Sequence, residues 1–172
     1  MPILVKILIL QAIFIVLHYL YKLLPSRFTS IFGGINESVY QHMKMCFFAY
    51  IIFTLIEFAI FRRSIIHVDQ YLFSRLFSAT FYPLVLIVIY YFGPLVFGHF
   101  KKIGFEIFLA NIALLASSYA TIVVEKQIEA AELSLAFKWI VSILFILSLV
   151  EFIGFTRKLP WLDVFRDPAE KN

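Results

Sequence analysis

One cysteine in 172 residues, Cys46, excludes an intrachain disulfide, and its position inside an apolar run makes it a packing residue. Charge is also scarce. Only 15% of the residues are Asp, Glu, Lys or Arg, too few to coat a water-soluble surface of this size. The six glycines form no phosphate-cradling loop. There is no Gly-x-Ser-x-Gly elbow, no His-Glu-x-x-His and no Cys-x-x-Cys, so the common soluble hydrolase, metalloprotease and thiol-redox chemistries have no support. Internal repeats, low-complexity tracts and a soluble domain are equally missing.

What the chain does have is apolar length. It is 62% hydrophobic and 19% aromatic, with a mean hydropathy of +0.92. Five long apolar stretches, joined by short polar or basic segments, account for nearly all of it. A helix that crosses a bilayer needs about 20 mostly apolar residues, and irregular backbone facing lipid strands polar groups at several kcal/mol each. The expected fold is therefore all-α, a polytopic transmembrane bundle of about five spanning helices. The stretches lack the strict alternation of a β-barrel.

The first stretch runs from Ile3 to Leu24, and no small-residue cleavage site follows it, so it reads as a retained helix. The second runs from Glu37 through Phe61, with Asn36 expected as its N-cap. Tyr71 to Phe97 is long for one straight span and carries Pro83 and Pro94. Ile103 to Val124 is the fourth, and the run Glu125 to Glu129 after it reads as water-exposed. Phe137 to Phe155 is the fifth, with Trp139 as an interface anchor. Residues 1–158 form one transmembrane domain, and 159–172 a polar C-terminal tail.

A net charge of +4 invites a nucleic-acid reading, but the Lys and Arg residues flank the apolar stretches instead of forming one basic face, so no nucleic-acid partner is expected. Membrane lipid is the expected surrounding. Alternating the stretches across a bilayer puts Lys22, Arg27, Lys44, Lys101, Lys102, Arg157, Lys158, Arg166 and Lys171 on one side. Lys6, Arg62, Arg63, Arg75, Lys126 and Lys138 fall on the other. The majority favours an outside N-terminus and a cytoplasmic C-terminus in a prokaryotic inner membrane.

The densest chemistry is the string Asn36-Glu37-Ser38-Val39-Tyr40-Gln41-His42-Met43-Lys44. At about 100° per residue, a helix starting here turns Glu37 and His42 about 140° apart, so they are not expected to pair on one face. Glu37, Gln41 and Lys44 line one face. Ser38 and His42 line the other, continued by Cys46, Tyr50, Thr54 and Glu57 at spacings of four, four, four and three. Such a stripe must look inward, since lipid is a costly neighbour for it. Glu57 needs a cation, with Arg62, Arg63 and Arg75 as candidates; at about 1.5 Å per residue it lies about 30 Å from Glu37. His18 and His42 end consecutive helices on one side and can meet. Gln11, His18 and Lys22 share one face of the first helix, and Asn111, Ser118 and Glu125 one face of the fourth, as helix-knitting groups. His67 and His99 lie in joints on opposite sides.

The candidate ligand-binding residues are thus Glu37, Ser38, His42, Tyr50, Glu57 and His18. No cofactor is required by the pattern; His42 and His18 are the ligands if a metal such as zinc binds. The expected activity is binding or transport of a small-molecule or lipid-like ligand near the start of the second helix. The alternatives are a membrane-embedded, metal-dependent enzyme acting on lipid and a structural scaffold.

The same string resembles the signature of a family of small, uncharacterised prokaryotic integral membrane proteins, in which Asn-Glu-Ser is followed by an aromatic residue, a His and a Lys. Phe165-Arg166-Asp167-Pro168 resembles that family's ending. Tyr40 and Gln41 stand where Trp and Glu are expected, and the second change removes a carboxylate. The resemblance implies the membrane fold and points at Asn36, Glu37, Ser38, His42 and Lys44. A weaker similarity is to membrane hydrolases and receptors of the ceramidase and progestin-receptor type, whose seven helices and His-x-x-x-His this chain lacks.

Overall fold

Among the described residues, five helices are long and apolar enough to cross a membrane: Ile3–Leu23, Val39–Ser64, Val68–Gly93, Ile107–Ala130 and Leu135–Gly154. The computed structural model describes residues 1–97, 103–156 and 163–165. His99, Lys101, Lys102, Arg157, Lys158 and most of the C-terminal tail, with the side chains of Pro94 and Glu106, lie outside the described residues.

The helices are α1 (Ile3–Leu23), the one-turn α2 (Thr29–Phe32), α3 (Val39–Phe61), α4 (Val68–Phe97), α5 (Ile103–Ala130) and α6 (Leu135–Gly154). A 3-10 turn, Arg62–Ser64, leads from α3 to α4. Pro83 does not interrupt α4, which is helical over its full 30 residues. The tail contributes one apolar anchor: Phe165 is buried, its ring centroid 4.3 Å from that of Tyr40.

α1 packs on α3 and α5, α3 on α4, and α4 on α5, so these four close a ring around a common axis. α6 lies outside it against α4, and its Phe145 and Phe152 meet Phe47 of α3. α6 presents Trp139, Ile143, Ile146, Leu147 and Val150 outward, the apolar exterior that acyl chains cover. α3 is the most enclosed helix, half of its best apolar window being buried.

The chain turns twice between α1 and α3. Ser26 and Thr29 exchange bonds reciprocally, Ser26 N–H donating to Thr29 Oγ1 and Thr29 N–H to Ser26 Oγ, each at 3.0 Å, and Thr29 Oγ1 donates to Leu24 O at 2.6 Å. Gly33 then passes so close to α1 that a Cβ there would sit 3.0 Å from Leu17 O and 3.2 Å from Tyr21 N. Any side chain there would have to push backbone of α1 and α2 aside by a few tenths of an ångström.

The start of α3 differs from the sequence expectation. Ser38, not Asn36, is the N-cap: its Oγ accepts from Gln41 N–H at 3.4 Å. Asn36 Oδ1 instead accepts from Ser38 N–H at 3.1 Å, an Asx turn that delays the helix. Glu37 therefore sits outside the helix. The run after Val124 is also different, because α5 continues through it to Ala130 and Glu125 is fully buried.

Candidate functional site

Two polar clusters sit near opposite ends of the four-helix ring. The first joins the C-terminal end of α1 to the start of α3. His18 Nε2 and His42 Nε2 lie 3.7 and 3.8 Å from Glu37 Oε2, and one ligand atom from each residue falls within 4.8 Å of the others. The 140° separation expected of Glu37 and His42 does not apply, because Glu37 precedes the helix, and the bend at Glu37 followed by the extended Ser38 leaves its carboxylate beside His42. Zinc held at about 2.0 Å by a tetrahedral set keeps its ligand atoms about 3.3 Å apart, so the two histidine–carboxylate gaps need close by about 0.5 Å and the widest gap in the set by up to about 1.5 Å.

Three local features prepare these groups. His42 Nδ1 is 2.8 Å from the Ser38 carbonyl, an acceptor only, so Nδ1 carries a proton and Nε2 is the ring nitrogen left facing Glu37. Lys22 Nζ donates to Glu37 Oε1 at 2.7 Å, which leaves Oε2 directed at the imidazoles. Phe14 lies beneath both rings, its centroid 6.2 Å from His18 and 6.1 Å from His42. Burial opposes ionisation of Glu37, but the Lys22 hydrogen bond and the neighbouring imidazoles outweigh it and hold its carboxyl below the usual range. The site opens outward: the side chains of His18, His42 and Glu37 are 21%, 29% and 44% exposed.

Lys44, two residues further along α3, is fully buried. Its ammonium donates to Ser30 O at 2.8 Å and Thr156 Oγ1 at 3.4 Å, tying α2 and the end of α6 to α3.

Tyr50 and Glu57 belong to the second cluster, about 12 Å and about 22 Å from His42 along α3. Four helices each contribute one charge to a closed, alternating ring. Lys6 Nζ of α1 bridges Glu57 Oε1 of α3 at 3.0 Å and Glu125 Oε1 of α5 at 2.8 Å. Arg75 of α4 bridges the same two carboxylates, Nη2 to Glu57 Oε2 at 2.9 Å and Nη1 to Glu125 Oε1 at 3.3 Å. All four side chains are at most 5% exposed. Tyr50 OH donates to Glu125 Oε2, Tyr71 OH lies 3.4 Å from Glu57 Oε2, and Arg75 Nη1 also binds Glu129, the member nearest water. Glu129 is 37% exposed. In a low-dielectric interior, an ion-pair ring is tolerated only when each charge is matched and hydrogen-bonded, as here.

The structure thus brings His18, Glu37, Ser38 and His42 together and sets Tyr50 and Glu57 apart. Arg75, one of three cations named for Glu57, is its partner; Arg62 and Arg63 are exposed. Sequence reasoning missed Lys6, which reads as a flanking charge, and read Glu125 two ways, as part of a watery extension and as a helix-knitting group of the fourth stretch, of which the second holds. The signal for Glu125 was its seven-residue spacing from Ser118, which places both on the buried face. Asn111 does not knit helices; it is exposed and donates to Ile107 O of its own helix at 2.8 Å.

No curated protein and no solved structure matches this chain. One family does, over residues 2–171, and it is described as a family of unknown function (DUF6512). Covering nearly the whole sequence, that match makes this five-span chain, with its histidine–carboxylate cluster at one end and its ion-pair ring near the other, a member of DUF6512.

Proposed function

We propose that the protein binds a divalent transition-metal ion, zinc by preference, at His18, Glu37 and His42, and that this cation is the small ligand of the polar site near the start of α3. The observation that carries the reading is the orientation of the His42 ring. The Ser38 carbonyl accepts a hydrogen bond from Nδ1, so Nε2 is the nitrogen turned toward a carboxylate and a second imidazole, as a ligand set requires. Two His and one carboxylate suit zinc or another borderline cation, and three protein ligands leave a coordination position open. Because that position faces the membrane surface, the second reading is an enzyme acting on lipid, in which the bound metal would supply a polarised water.

The orientation proposed is an outside N-terminus and a cytoplasmic histidine end in a prokaryotic inner membrane. Support comes from the buried cations: Lys44 leaves the group of nine, while Lys6 and Arg75 leave the group of six, since all three are occupied inside the bundle. Eight against four remain to set topology, a stronger bias than the raw count.

The test is metal analysis of protein purified in detergent, followed by zinc titration. One bound ion per chain is expected, with His42→Ala and Glu37→Gln each weakening affinity by about 10–100-fold while the thermal melt is kept. Affinity should fall as pH drops, because protons compete with the metal for the ligand lone pairs. Unchanged zinc affinity in His42→Ala refutes the site.

A further inference from the structure

The outward faces of α5 and α6 differ in chemistry. From Ile140 to Val150 every exposed residue of α6 is apolar, a surface that acyl chains cover without loss. α5 buries Ala113, Leu114, Ser117, Ser118, Thr121 and Glu125, packs on α1 and α4, and turns its other side outward. On that side Phe108, Asn111, Leu115 and Tyr119 follow at spacings of three, four and four. At about 100° per residue they fall within about 80° of one another, a single row along the helix. Phe108, Leu115 and Tyr119 are 58%, 40% and 55% exposed, and Asn111 is exposed with them.

Two members of the row carry hydrogen-bonding groups that lipid cannot satisfy. Asn111 is the fifth residue of the spanning segment Ile107–Ala130 and Tyr119 the thirteenth, about 6 and about 18 Å inside its end. Asn111 Nδ2 donates to Ile107 O of its own helix at 2.8 Å, while its Oδ1 accepts nothing from the described residues. The Tyr119 hydroxyl makes no hydrogen bond among them. Tyrosines that face lipid gather at the membrane surfaces, where the hydroxyl reaches head groups and water, but Tyr119 sits at the middle of its span. Polar side chains at such depth turn toward another helix, not toward acyl chains. The chain itself supplies no helix on this side of α5.

We propose that the outward row of α5 is the contact surface for a second copy of this chain, the two α5 helices packing parallel about a two-fold axis along the membrane normal. Depth selects a copy over an unrelated helix. Two copies insert the same way round, so a parallel pair brings each polar group to its own counterpart at the same level. A carboxamide holds both a donor and an acceptor, so two of them face each other with each Oδ1 taking an N–H from the other, and a pair of phenol hydroxyls is self-complementary in the same way. An unrelated helix would need matching groups at both depths. The spacing of threes and fours is also that of a left-handed helix pair, in which one polar residue in the seam fixes the register. Asn111 joins no second helix within the chain; in the dimer it joins the two α5 helices.

Energy transfer between copies of the full chain in liposomes tests this. The chain carries Ile66→Cys, an exposed position, labelled with a donor or an acceptor dye, and the buried native Cys46 stays unlabelled. Transfer should fall along a monomer–dimer curve as lipid dilutes the protein. Asn111→Leu should weaken association by about tenfold, the order of one interhelical amide contact in lipid, while the detergent-solubilised monomer melts at or above the wild-type temperature. A second readout locates the surface. Under iodine oxidation in the same liposomes, Leu115→Cys should form a covalent dimer, and Leu147→Cys on the outward face of α6 should not. Wild-type protein that stays monomeric at the highest protein-to-lipid ratio overturns the proposal. So does a folded Asn111→Leu that associates as tightly as wild type, or a covalent dimer through Leu147→Cys in place of Leu115→Cys. Zinc takes no part in either readout, so loss of the metal reading leaves the test standing.

Discussion

Arg75→Met is the sharpest perturbation of the bundle. The guanidinium is 3% exposed and holds Glu57, Glu125 and Glu129 through its three nitrogens, lying also 4.3 Å from the Tyr71 ring centroid. Its loss leaves three carboxylates facing one buried ammonium, Lys6. Breaking a buried ion pair from one side costs about 3–5 kcal/mol, because the abandoned charge keeps its desolvation penalty and loses its compensation. At about 2–4 °C per kcal/mol for a chain of this length, the melting temperature in detergent should drop by roughly 6–20 °C. A second substitution separates charge balance from simple loss of packing. Arg75→Met with Glu57→Leu restores one cation, Lys6, to one fully buried carboxylate, Glu125, and Tyr71 OH keeps its Thr54 O acceptor at 3.2 Å. The double variant should recover most of the lost stability, since balanced removal of a buried pair is close to neutral. A single variant that melts within about 2 °C of wild type, or a double variant below the single, refutes the reasoning.

Further outcomes follow from the loop and the topology. Gly33→Ala places a Cβ against backbone atoms of Leu17, Thr29 and Tyr21, which cannot move aside without shifting α1, so it should cost about 1–3 kcal/mol in a detergent melt. Gly34→Ala meets only the flexible end of Met45 at 3.1 Å and should cost less than about 1 kcal/mol; the opposite ranking contradicts the packing described. For orientation, Ile66 and Phe28 are exposed near opposite ends of the bundle, and the native Cys46 is buried. An impermeant maleimide applied to intact cells should label Ile66→Cys, and should label Phe28→Cys only after permeabilisation. The reverse pattern inverts the proposed topology.

The single sequence already determined the helical fold and the inward turn of the polar stripe on α3, because both follow from one solvent argument: lipid rejects unpaired backbone and polar side chains alike. That argument needs only local composition and the helical period. It placed Ser38, Cys46, Tyr50 and Glu57 inside, where all four are buried. It could not place Glu37. A two-residue delay in the start of α3, set by the bond from Ser38 N–H to Asn36 Oδ1, replaced a fixed helical angle with a flexible approach and brought the carboxylate onto the histidines. Nor could it join Lys6 to Glu125, which lie 119 positions apart in the chain. A charge near the end of an apolar stretch looks the same in sequence whether it reaches for water or for a partner. Only the closure of α1, α3, α4 and α5 around one axis decided between them, because four helices meeting there left no water to solvate the charges and enough opposite charge to do without it.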